Sequence, residues 1–116
     1  MVKNMSEISM LYDFYGDLLT DRQRTVLEYY YGDDYTLSEI ADNVGISRQA
    51  VHDTVHKAEK ALRSYESVLG LVSRHRQNMD IISRVSLILE SVIEDTENKD
   101  IRDRLRTVSE LMAGLE

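Results

Sequence analysis

The sequence predicts an all-α protein: a four-helix module that contains a helix-turn-helix, followed by a C-terminal helical extension. Three observations predict it. The 116 residues include no proline, the residue that breaks helices by removing a backbone donor and clashing with the preceding turn, and Ala, Leu, Glu and Arg recur at helical spacing. The stretch from Leu37 to Val51 orders its small, glycine and capping residues as a helix-turn-helix requires. Beyond position 80, apolar residues return every three or four positions, which carries the helical pattern to the C-terminal end.

The first helix covers about 6–19, with Ile8, Leu11, Phe14, Tyr15 and Leu18 along one face. Thr20 caps the second helix and Gln23 follows three residues on, the reciprocal pattern of a capping box. Val26, Leu27 and Tyr30 are its core face, and Tyr31-Gly32-Asp33-Asp34-Tyr35 reads as a turn. Thr36 caps the third helix, with Glu39 at the box position. Ile40 and Val44 give that helix its apolar stripe, and Ala41 is small where a second helix must cross closely. Gly45 supplies the left-handed backbone that a tight inter-helix turn needs. Ile46 plugs the corner, and Ser47 caps the fourth helix, whose buried face is Val51, Val55, Ala58 and Leu62. This helix runs past Leu62, as far as Gly70 or Arg74.

In the tail, Ile82, Val85, Leu89 and Val92 follow a heptad, and Ile81, Ile88 and Ile93 widen the stripe. A charged, uncapped break covers 94–100. Ile101, Leu105, Val108, Met112 and Leu115 mark a last helix, with Arg102, Arg104 and Arg106 off its stripe. An apolar face this wide needs a partner: either the N-terminal helices or a second copy of the chain. The expected organisation is a helix-turn-helix domain over residues 1–64 and a helical segment over 65–116 that serves oligomerisation, giving a homodimer.

Composition narrows the function. There is no cysteine, hence no disulfide framework, thiolate nucleophile or cysteine-based zinc site; this suits a reducing, cytoplasmic setting. No 18-residue apolar run offers a membrane span, and the first ten residues lack the apolar segment of a secretory signal. Neither a glycine-rich phosphate loop nor a Ser/His/Asp set is present, so a non-enzymatic binding protein without cofactor or metal is expected. Net charge is −7, but it is uneven. Residues 1–46 carry three basic and nine acidic side chains, whereas 47–63 carry Arg48, Lys57, Lys60 and Arg63 against Asp53 and Glu59. The second helix of the motif is the one locally positive segment, set in an acidic field that weakens non-specific nucleic-acid affinity.

A helix-turn-helix presents the N-terminal residues of its second helix to base edges; here those are Arg48, Gln49, His52 and Asp53. Arg48 suits guanine, Gln49 adenine, and Asp53 the amino group of cytosine. Arg22, Arg24, Lys57, Lys60 and Arg63 are the candidate phosphate contacts. His52 and His56 stand at a spacing that can hold zinc, but neither the glutamate of a zinc-protease helix nor a third ligand accompanies them, so they read as polar side chains of an exposed helix. His75, between Arg74 and Arg76, reads as solvated. Asp33-Asp34 lacks the alternating oxygen ligands of a calcium loop and reads as a turn. Tyr29, Tyr30, Tyr31 and Tyr35 divide between core and surface.

Leu19-Thr20-Asp21-Arg22-Gln23-Arg24, Val26-Leu27, Thr36-Leu37-Ser38-Glu39-Ile40-Ala41 and Gly45-Ile46-Ser47-Arg48 resemble region four of bacterial sigma factors over about residues 10–64. His52 and Asp53 depart from that pattern, where basic or amide side chains are usual, and so does Thr54, where the motif prefers an aliphatic residue. Leu11-Tyr12-Asp13-Phe14-Tyr15, Leu18-Leu19-Thr20, Tyr30-Tyr31, Asp33-Asp34-Tyr35 and Ser47-Arg48-Gln49-Ala50-Val51, with Asp53 and Glu59, resemble the YlxM family of small bacterial proteins across the whole chain. The first domain would then be of the winged-helix-like or sigma-region-four-like kind. The YlxM resemblance implies a regulatory protein tied to the signal recognition particle pathway. Two functions are expected ahead of a purely structural oligomer: a DNA-binding regulator, or a protein- or RNA-binding adaptor of the signal recognition particle without sequence-specific DNA binding.

Overall fold

A computed structural model describes the backbone of residues 5–116 and the side chains of 7–116; the first four residues of the expected domain lie outside it. The order is α1 (Met5–Tyr15), a 3-10 turn (Gly16–Leu18), α2 (Asp21–Leu27), a π-helical turn (Glu28–Gly32), α3 (Leu37–Val44), α4 (Arg48–Leu69), α5 (Leu71–Asp95) and α6 (Lys99–Ala113). No strand occurs among the described residues. The all-α expectation holds, and the winged option finds no β-wing there.

α1 ends earlier than its periodicity suggested. The chain tightens at Gly16, where a Cβ would come within 3.1 Å of the Tyr12 ring. A 3-10 turn advances three residues per turn rather than 3.6, so the phase of the stripe shifts. Leu19 is 6 % exposed and joins the core, while Leu18 is 55 % exposed and Phe14 37 %. Both had been expected inside.

Both capping boxes form. The backbone N–H of Gln23 donates to Thr20 Oγ1 at 3.2 Å and that of Thr20 to Gln23 Oε1 at 3.0 Å; Thr36 and Glu39 repeat the pattern. The helical path after α2 continues through Gly32 rather than turning at Tyr31. Its widened turn keeps Tyr30 buried and leaves Tyr29 and Tyr31 half-buried. Tyr29 stacks on Tyr35 at 5.1 Å, and the Tyr35 N–H closes the loop onto the Tyr29 carbonyl at 3.0 Å.

α4 is the central element, packed against α1, α2 and α3. Val51, Val55, Ala58 and Leu62 are fully buried along it, meeting Ile8, Leu11 and Tyr15 of α1, Val26 and Leu27 of α2, and Ile40 and Ala41 of α3 in one core. α4 stops at Leu69 because Gly70 turns left-handed, at φ 63°. There the Glu66 carboxylate accepts from the Tyr15 hydroxyl at 2.6 Å and from the Val72 N–H at 2.9 Å, while Tyr15 Oη accepts from the Leu71 N–H at 3.0 Å. Two orphan donors at the start of α5 are thereby satisfied.

The chain divides into two compact units, one ending at Val72 and one over Ser73–Glu116; the expected boundary at 64/65 falls inside α4. Within the second unit Ile82 is buried, and His75, Asn78, Met79, Ile81, Met112 and Leu115 line a cavity beside it. His75 is half-buried, not solvated. The break before α6 is capped after all: Asn98 Oδ1 accepts from the Ile101 N–H at 3.1 Å. Leu87, Ile88, Val92, Ile101, Val108 and Leu111 remain exposed.

Candidate nucleic-acid interface

The helix-turn-helix is built from the turn outward. Gly45 sits at φ 80°, ψ 33°, and its N–H and that of Ile46 both donate to the Ala41 carbonyl, at 2.9 and 3.3 Å. The chain leaves this left-handed corner in an extended residue, Ser47, whose Oγ accepts from the Ala50 N–H at 3.0 Å and starts α4. Val51 and Val55 are pinned inward, so helical geometry turns Arg48, Gln49, Asp53, Lys57 and Lys60 outward, and all five are exposed. Thr54 is half-buried and returns its hydroxyl to the Ala50 carbonyl at 2.8 Å; Val55, one step on, supplies the missing aliphatic contact.

The outward face is partly self-engaged. Gln49 Nε2 donates to Asp53 Oδ1 at 3.0 Å. One amide hydrogen is thereby used, leaving the second and Oε1, the donor–acceptor pair that adenine N7 and N6 require. His52 is half-buried rather than exposed, and its Nδ1 is buried without a hydrogen bond, 3.7 Å from Asp53 Oδ1; the exposed His56 has its ring 4.4 Å from that of His52. Among the described residues no group of three or more His, Cys, Asp or Glu side chains could hold a metal ion.

The candidate phosphate contacts separate into two sets. Arg22, Lys57 and Lys60 are exposed. Arg24 is held by Asp21, with Asp17 at 3.8 Å. Arg63 lies 3.3 Å from Glu7 and 3.7 Å from Glu59. His56, Lys57, Glu59, Lys60 and Arg63 line a shallow groove along α4.

The sequence pattern marked Glu59 without its burial or its tyrosine partner, and did not mark Glu66. Glu59 is 8 % exposed and accepts from the Tyr31 hydroxyl; burial, then this carboxylate, pushes the Tyr31 phenol up. A charge flanked by Ala58 and Leu62 on an apolar stripe was the available signal, but its partner sits 28 residues away.

With this geometry in place, the profile of the YlxM/p13-like helix-turn-helix proteins, UPF0122, matches residues 2–104. The chain belongs to the YlxM/p13-like family. A UPF0122 protein of Thermoanaerobacter sp. (strain X514) is 40 % identical over 109 residues, covering 94 % of this chain and 91 % of the relative. One from Listeria monocytogenes serotype 4b is 33 % identical over 109 residues, covering 93 % and 99 %. One from Caldanaerobacter subterraneus subsp. tengcongensis is 49 % identical over 78 residues, covering 67 % of each chain. The YlxM/p13-like profile spans both compact units and ends within α6. No described helix is long and apolar enough to cross a membrane.

Proposed function

We propose that this YlxM/p13-like protein is a DNA-binding regulator that works as a homodimer through its C-terminal helices. One observation carries the DNA reading: Arg48, Gln49, Lys57 and Lys60 lie exposed on the outer face of the second helix of a helix-turn-helix, opposite a fully buried face. The N-terminus of α4 adds the helix dipole and free backbone donors, which favour a phosphate. Arg48, Gln49, His52 and Asp53 read bases; Lys57, Lys60 and Arg22 contact phosphates. Arg24 and Arg63 contribute only if a phosphate displaces their carboxylates.

Fluorescence anisotropy with duplex DNA at two salt concentrations tests this. Arg48→Ala should weaken binding to a specific site by about 1–3 kcal/mol and relax preference at one base pair. Lys60→Ala should weaken all sequences alike and shallow the salt slope by about one. Asp53→Asn should raise non-specific affinity by removing a like charge. If wild type and all three variants bind equally weakly at both salts, the DNA reading is wrong.

A second reading is favoured by the carboxylates that already hold Arg24 and Arg63 and by the net charge of −7. In it the protein is an adaptor of the signal recognition particle pathway that meets a basic protein or the particle's RNA. Co-purification with the particle's GTPase after nuclease treatment, without a salt-dependent DNA shift, would select it.

A further inference from the structure

The first unit holds a cleft away from the turn and outer face of α4. It lies between α1 and the π-helical turn, encloses about 160 Å³, and is lined by Ile8, Ser9, Tyr12, Asp13, Leu27, Glu28, Tyr31 and Gly32. Ile8 and Leu27 are 1 % and 2 % exposed and form an apolar floor. A cavity of this order takes a benzene-sized group. No cation is among its lining residues, and two carboxylates are.

The walls are held in place. The Tyr12 hydroxyl donates to Glu28 Oε1 at 2.6 Å, which fixes the ring and the carboxylate together and leaves Oε2 unclaimed by that bond. Tyr31 is tied to Glu59. Asp13 is exposed and makes no hydrogen bond or ion pair among the described residues. Arg24, whose charge is felt at Tyr12, is occupied by Asp21 and Asp17. Glu28, Tyr31 and Gly32, at positions i, i+3 and i+4 of the helical path, fall on the same wall. A Cβ on Gly32 would meet nothing within 4 Å, so the mouth is open on that side.

An apolar floor, two tyrosine rings and two carboxylates, in a segment that carries nine acids and three bases, match one kind of occupant: a long side chain with an apolar stem and a delocalised cationic head. An arginine side chain satisfies all three, since its methylene stem covers the apolar floor while its guanidinium forks onto a carboxylate and rests on an aromatic ring. We propose that this cleft binds an arginine side chain presented by a basic segment of a partner protein. The site is separate from the outer face of α4, so it stands whether or not the protein binds DNA.

The test uses the full chain and a blocked peptide of alternating arginine and alanine. Its counterpart carries citrulline, which keeps the shape and removes the charge. Amide shifts of Ser9, Asp13, Glu28 and Gly32 should move with the arginine peptide and stay still with the citrulline one. Glu28→Gln and Asp13→Asn should each weaken binding by roughly tenfold or more, as loss of a charge-assisted contact implies. Glu28→Gln keeps an acceptor for Tyr12, and its melting temperature verifies the fold. Asp42→Asn, the same charge change on exposed α3, should have little effect. The proposal fails if Asp42→Asn weakens binding as much as Glu28→Gln, if citrulline binds as well as arginine, or if the shifts map elsewhere. A duplex-DNA titration of the same variants keeps the two readings apart: Glu28→Gln should leave the effect of Arg48→Ala unchanged.

Discussion

Gly45 decides the helix-turn-helix through its backbone alone. A side chain there would have free space, since a Cβ would meet nothing within 4 Å, but the φ of 80° is costly for an L-residue. Gly45→Val should therefore lower stability by about 1–3 kcal/mol, read as a drop in melting temperature. An unchanged melting temperature would show that the turn tolerates a branched residue. The tyrosines give a second residue-scale expectation. Burial, then the hydrogen bond to Glu28, raises Tyr12 to about 12. Burial with Glu59 raises Tyr31, and burial with Glu66 raises Tyr15. A group whose folded pKa is raised contributes stability that is complete below its unfolded value, about 10 for tyrosine, and lost as pH climbs through the folded value. Stability should thus be insensitive to these groups at neutral pH and fall above about pH 10. In a spectroscopic titration of the seven tyrosines, these three should ionise late. A single transition near pH 10 for all seven would contradict the buried pairings.

At the scale of elements, the junction of α4 with α5 depends on a side chain rather than on a loop. Gly70 turns the chain, and Glu66 with Tyr15 satisfies the Leu71 and Val72 donors. Glu66→Ala removes the acceptor and leaves Tyr15 and Val72 without it, a loss of about 1–3 kcal/mol. Amide exchange at Leu71 and Val72 should quicken with it; protection equal to wild type would mean that α5 is held at its start by packing alone. α4 itself is fixed by Leu62, which is fully buried. Leu62→Ala should cost about 2–5 kcal/mol, since the surrounding core cannot close over the space. The outer face of α4 keeps its register only while this buried face is intact.

At the scale of the whole molecule, the second unit leaves large apolar side chains in water. Leu87 and Ile88 are 66 % and 64 % exposed, and Leu111 is 70 % exposed. Large exposed apolar patches mark interfaces, and a two-fold partner would also supply a second recognition helix. Light scattering should give twice the 13.4 kDa chain mass. Ile88→Asp, at an exposed position, should return the protein to a monomer with little loss of helix content. A wild-type monomer at concentrations on the order of tens of micromolar would refute the homodimer.

The sequence by itself determined the helical class, both capping boxes, the Gly45 corner, the Ser47 cap and the buried face of α4. These follow from local rules: a cap bonds to a backbone donor three residues on, a left-handed residue favours glycine, and a stripe follows the helical period. The exposed face carrying Arg48, Gln49, Lys57 and Lys60 was legible for the same reason, being the complement of that stripe. Only the tertiary structure decided that Phe14 and Leu18 lie outside while Leu19 lies inside, because a 3-10 turn at Gly16 resets the phase. It alone paired Tyr31 with Glu59, Tyr15 with Glu66, and Arg63 with Glu7. It alone opened the cleft between α1 and the π-helical turn. Partners tens of residues apart in the chain meet only when helices pack, and no local pattern records which carboxylate a given arginine or tyrosine will find.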